Sequence, residues 1–333
     1  MKRFTFLTLV ILLMITGFAS GSAAAQDDLT SVTLFVSYIP SVQFAPIYVA
    51  MENGYFAEEG IEVTVEYSFD EPGGADRLAI NDLQFGIISS DQVLIGRSVG
   101  KPLVYVYEWY HNYPVGIVTP ADSGIEEPAD LAGRVVGMPG AYGASYTGLR
   151  ALLGANEMEE SDLGELNSIG FTAPEAICTG LVEAAVVYIA NEPLTIEQNC
   201  SEVTVITISD YVELMSNGLV TNEETIENNP ELVGGMVRAL RRGVEDTLAD
   251  SDAAFEISLP QVPDLPEDQY ETQRQVLENS LALWESENLG FSDVARWETS
   301  QAVMVEIGLM AEPLEDIEAA FNNEFIPVEE DAK

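Results

Sequence analysis

The sequence predicts a two-lobed α/β fold with a ligand cleft between the lobes. Short β-branched, apolar runs at residues 32–36, 61–67, 83–88, 103–107, 115–119, 135–138, 166–169, 184–189 and 203–208 alternate with helical stretches and Gly, Pro, Asn or Ser turns. A chain of 333 residues also exceeds the usual size of a single core, which favours two lobes. In open α/β sheets, ligands bind where the strands end.

Lys2 and Arg3 precede an apolar run over residues 4–18, and Ala23, Ala24 and Ala25 follow. This is the pattern of a secretory signal peptide spanning 1–25, with cleavage expected after Ala25. The run is short beside the roughly 20 residues of a spanning helix, so an exported mature chain is expected. In an oxidising compartment the only two cysteines, Cys178 and Cys200, are expected to pair. Two cysteines and the single His111 do not build a zinc site, and neither a metal nor a cofactor is expected.

The charge is lopsided: 56 Asp plus Glu face 13 Lys plus Arg, a formal net charge of −43. Such a surface repels nucleic acid and anionic lipid. It also disfavours a strongly anionic ligand unless arginines converge locally. The acids are scattered, as on a solvated face.

Along the chain, the first strand ends at Pro40 and opens into a loop that carries Tyr38, Gln43 and Phe44. Pro46 suits the first turn of the helix that follows, and Asn53-Gly54 ends it. After the second strand a loop at 71–75 leads into a short helix at 75–81. The strand at 83–88 runs into Ser89-Ser90-Asp91, which starts the next helix; Ser89 faces the expected cleft. The strand at 103–107 leaves through Tyr107, Trp109, Tyr110 and Tyr113, four rings within seven residues. Trp109 and Tyr110 suit a ligand-stacking wall, with packing at the crossover as the alternative. In the second lobe, Tyr142 and Gly143 lie in a loop before a helix expected at 147–153, whose free N–H groups can face a ligand acceptor. Tyr188, Asn191 and Glu192 leave the tip of the strand at 184–189. Asn191 and Glu192 together can donate and accept in one plane, as the edge of a pyrimidine or imide ring requires. For Glu192, a surface acid at a helix start is the alternative. The chain returns to the first lobe at 219–221 and ends in packing helices. The expected boundaries are 26–115 plus 216–333 for the first lobe and 116–215 for the second.

Three segments carry a resemblance. Y-I-P-S-V-Q-F-A-P-I-Y-V-A at 38–50, running on into G-Y-F-A-E-E-G-I-E-V, is the first; I-E-E-P-A-D-L-A-G-R at 125–134 and G-L-V-E-A-A-V-V-Y-I-A-N-E at 180–192 are the others. Together they resemble the solute-binding proteins of ABC importers, in the branch related to thiamine-precursor synthases. Arg134 stands where Lys is frequent, and Glu183 where Asp is common. The resemblance implies a type II periplasmic binding protein fold, a monomer that closes on a small-molecule ligand in the periplasm or extracytoplasmic space, and a membrane permease as partner. Among the ligands of that branch, riboflavin suits the ring-rich, Arg-poor candidates first and a thiamine pyrimidine precursor second. Alkanesulfonate or taurine comes third, because a sulfonate wants a basic partner. A receptor ectodomain of the same fold is another reading. The related synthases imply an enzyme that reacts through a Lys and a His, but the lysines here, Lys2, Lys101 and Lys333, fall outside every candidate loop. No enzyme is expected.

Overall fold

The structure, a computed structural model, describes residues 29–327, so the expected signal peptide and its cleavage site lie outside the described residues. The chain opens with β1 (Thr30–Val36), α1 (Ala45–Glu52), α2 (Tyr55–Glu58), β2 (Ile61–Tyr67), α3 (Glu71–Ala79), β3 (Phe85–Ser89), α4 (Ser90–Ser98) and β4 (Leu103–Glu108). It then crosses to β5 (Val115–Pro120), β6 (Val135–Met138), α5 (Gly143–Ala155), β7 (Glu165–Ser168), α6 (Ala173–Cys178), β8 (Ala184–Tyr188), α7 (Glu192–Asn199) and β9 (Val203–Thr207). It crosses back to β10 (Asn217–Asn222) and finishes with α8 (Glu223–Asn228), α9 (Pro230–Ala249), α10 (Ser251–Ser258), α11 (Tyr270–Trp284) and α12 (Val294–Glu306).

Two five-stranded sheets result, ordered β2-β1-β3-β10-β4 and β7-β6-β8-β5-β9. They are built alike. In each, four strands run parallel, and the strand that follows a crossover, β10 or β5, enters antiparallel between its neighbours. The carboxyl ends of the parallel strands of both sheets therefore meet along one seam.

Local chemistry sets the helix starts. Asp70 accepts from the Gly73 N–H and Pro72 takes the first turn, so α3 starts four residues before the expected 75. α5 likewise starts at Gly143, not at 147, and takes in residues expected to be loop. Two helices, α8 and α10, had no counterpart in the sequence reading, and α7 entered it only as the alternative of a helix start at Glu192. α7 has a proline in its first turn and α10 an Asp250 cap accepting from Ala253 N–H.

The C-terminal helices cover the first sheet. α9 lies against α1 so closely that a Cβ on Gly243 would stand 2.1 Å from the Pro46 carbonyl oxygen. Trp284 and Trp297 are fully buried in the core. In the second half, a disulfide joins Cys178 at the end of α6 to Cys200 just past α7.

Candidate functional site

A cleft partly open to solvent lies along the seam. Its walls come from strand ends: Ser37 and Tyr38 after β1, Phe69 after β2, Ile87 in β3, Trp109 and Tyr110 after β4, Pro139 to Ser145 after β6, Phe171 after β7 and Tyr188 at the end of β8. Gln43, Phe44, Glu71 and Asn217 complete it.

Tyr38, Gln43, Phe44, Trp109, Tyr110, Tyr142, Gly143 and Tyr188 thus come together around one space. Ser89, Asn191 and Glu192 do not line it. Ser89 stands behind the wall, donating from its N–H and hydroxyl to Glu71 Oε1 at 2.7 and 2.8 Å. Asn191 Nδ2 donates to the Tyr38 hydroxyl at 3.5 Å, so it braces a wall residue. Glu192 is 7% exposed, which corrects the surface-acid alternative: α7 begins inside the protein. One of its carboxyl oxygens has no hydrogen-bond partner. Burial raises its pKa from the ordinary 4.5 to about 7, against the opposing backbone N–H bonds at the helix start.

Sequence reasoning missed Phe69, Glu71, Ser145, Phe171 and Asn217. Asn217 was lost because the expected strand began at 219. Phe69 and Phe171 each follow a parallel strand by two or three residues, and extending the strand-end rule to β2 and β7 finds them.

The rings make two layers. At the mouth, Phe69 and Phe171 stack across the seam with centroids 4.5 Å apart and planes 20° from parallel. Tyr38 meets both rings edge-on, at 6.0 and 5.4 Å. Deeper, Trp109 packs edge-on against Tyr110 and Trp284, and Tyr110 stacks on Trp284. The expectation of a partly wet wall at Trp109 is corrected here: it is 1% exposed, and its ring is also a core element. Further bonds cross the seam. Tyr142 donates to the Phe69 carbonyl at 3.4 Å, Tyr188 to Asn217 Oδ1 at 3.3 Å, and Thr147 to Asp91 Oδ2 at 3.3 Å.

Two carboxyls are buried together at the inner end. Burial raises the pKa of Glu71, and the neighbouring Asp91 raises it further, opposed by the two bonds from Ser89. Burial raises Asp91 as well. No basic side chain lines the cleft. Every Arg and Lys among the described residues pairs with an acid elsewhere. His111 sits outside the wall with Nδ1 2.9 Å from Glu108 Oε2. The lining chemistry therefore suits stacking and neutral hydrogen bonding.

Known proteins resemble the chain in sequence and in fold. The chain is 37% identical to the riboflavin-binding protein RibY of Chloroflexus aurantiacus over 93% of this chain and 90% of that protein. It is 25% identical to the formylaminopyrimidine-binding protein of Halalkalibacterium halodurans over 78% of this chain and 79% of that one. Among solved structures, the periplasmic aliphatic sulphonate binding protein SsuA from Escherichia coli superposes with a TM-score of 0.71 at 14% identity, covering 87% of this chain and 91% of that chain. The fold is the two-lobed periplasmic binding protein fold. Residues 41–254 match the family described as NMT1/THI5 like, and the chain belongs to that family.

Proposed function

We propose that the chain is the extracytoplasmic ligand-binding subunit of an ABC importer and that its ligand is riboflavin. The carrying observation is a cleft walled by seven aromatic side chains besides Phe44, with no basic side chain among its lining residues. A flat, uncharged heteroaromatic stacks there, and Gln43, Asn217, Ser37 and Ser145 supply edge contacts that fix its register. The similarity to RibY, spread over nearly the whole chain, supports the same ligand.

The lobes are 26–115 with 216–333, and 116–215. Ligand contacts from both lobes favour the closed state, and a membrane permease receives it. The mature protein is released by cleavage after Ala25 and acts as a monomer. We read it as a binding protein rather than an enzyme, a reading supported by Lys101, paired with Asp76, and His111, paired with Glu108, both of which stand outside the cleft lining. A thiamine pyrimidine precursor is the second reading, favoured by the formylaminopyrimidine-binding relative.

Titration of the purified mature protein with riboflavin, followed by flavin fluorescence, tests the proposal. Quenching to a one-to-one endpoint is expected. An unquenched flavin, together with a thermal shift from pyrimidines, moves the assignment to the second reading.

A further inference from the structure

Building on the flavin reading, we infer that Glu71 sets ligand specificity in the cleft: it accepts hydrogen bonds from the hydroxyls of a polyol tail and rejects the phosphorylated form of the same ligand. Glu71 lines the cleft yet is only 6% exposed. Its Oε1 is held by Ser89, as described. Its Oε2 lies against the first residue of α5, where a Cβ on Gly143 would stand 2.4 Å away. Gly143 has φ +66°, so both its backbone conformation and this approach require glycine.

The first turn of a helix carries unsatisfied N–H groups and a partial positive charge, which ordinarily welcome an anion. Here the protein seats its own carboxylate at that turn. The groups that face Glu71 are Ser37 after β1, Ser89 and Asp91 from β3 and α4, Tyr142 and Gly143 from the start of α5, Tyr113 just before β5 and Tyr188 at the end of β8. None is a cation, and Asp91 adds a second acid behind the first. A phosphate ester entering the cleft brings about −1.5 to −2 charges, loses its water and meets carboxyl groups with no neutralising partner. A hydroxyl at the same place is a donor to a charged acceptor, the stronger kind of hydrogen bond. The cleft therefore separates a vitamin from its phosphate ester by the sign of one side chain.

The test compares dissociation constants for riboflavin and riboflavin 5′-phosphate at pH 8, in the wild type and in Glu71→Gln. Gln keeps an oxygen for the Ser89 donors and removes the charge. The wild type is expected to prefer riboflavin by about a hundredfold, and Glu71→Gln to narrow that gap by about tenfold or more. Equal wild-type affinities, or a gap unchanged in Glu71→Gln, overturn the inference. Should Glu71→Gln bind neither flavin, Asp91→Asn carries the test, and a gap as wide as the wild type's overturns it. A wild type that takes neither flavin sinks the riboflavin reading; the Glu71 role is then judged, by the same two outcomes, on hydroxymethylpyrimidine against its phosphate. A wild type that binds neither pair overturns both readings.

Discussion

Single side chains in this cleft divide into those that can be removed cheaply and those that cannot. Phe171 and Tyr142 are half-buried wall residues that follow strands of the second sheet, whereas Trp109 is buried against Trp284 and the core. Phe171→Ala and Tyr142→Ala are each expected to weaken riboflavin binding roughly tenfold, since a stacked ring contributes on the order of 1–3 kcal/mol, and to leave the melting temperature within a few degrees of wild type. Calorimetric titration beside a thermal melt checks both halves. Trp109→Ala should instead lose about 3–5 kcal/mol of stability, so it is a poor probe of binding. Glu192 offers a pH test. Its pKa is raised on folding from 4.5 to about 7, so the folded state holds its proton more tightly than the unfolded state does. The stabilisation from protonation is fully present below about pH 4.5 and is lost as the pH rises through about 7. By pH 8 the ionised carboxyl costs on the order of 3 kcal/mol, and Glu192→Gln should melt higher than wild type there while the difference vanishes near pH 4.5. Equal melting temperatures at pH 8 would show that this carboxyl is solvated.

At the scale of elements, α12 pins both crossovers. Arg296 pairs with the buried Glu108 at the end of β4 and donates to the His111 carbonyl at 2.8 Å. It also donates to the Leu214 carbonyl, 2.7 Å away on the returning crossover, while Ser300 accepts from Met215 N–H. Arg296→Ala leaves Glu108 buried without its cation and is expected to cost about 3–5 kcal/mol in chemical denaturation, more than an exposed pair could account for. In the second lobe the disulfide closes a loop of 22 residues that starts at the end of α6 and contains β8 and α7. Replacing both cysteines by Ser should lower stability by about 3 kcal/mol, mainly by freeing the unfolded chain. A double variant as stable as wild type would rule that contribution out.

Over the whole molecule, acidic excess is the dominant electrostatic fact. The described cations are all paired with acids, and over the full chain 56 Asp plus Glu outnumber 13 Lys plus Arg. Self-repulsion on that scale destabilises the compact state, and salt screens it within about 10 Å at 0.1 M. The melting temperature should therefore rise with sodium chloride from 10 mM to 0.5 M, by roughly 3 °C for each kcal/mol recovered. A fall over that range would mean that the surface ion pairs outweigh the repulsion.

What the sequence determined by itself was local or periodic. β-branched runs made strands, Pro46 placed a helix start, and a ring-rich strand exit such as Trp109-Tyr110 stood out because composition there is unlike a core. Eight of the residues that line the cleft could be picked out because strand ends in α/β sheets are where ligands bind. The tertiary structure alone decided which side chains meet across the seam. Phe69 and Phe171 lie about a hundred residues apart and nothing local pairs them with each other, yet their rings stack at 4.5 Å. Glu71 reads in sequence as one acid among 56, and only the approach of Gly143 and Asp91 gives it a chemistry of its own. Propensity and pattern act over a few residues. Burial, stacking and the environment of a charge depend on which distant strands the crossovers bring together.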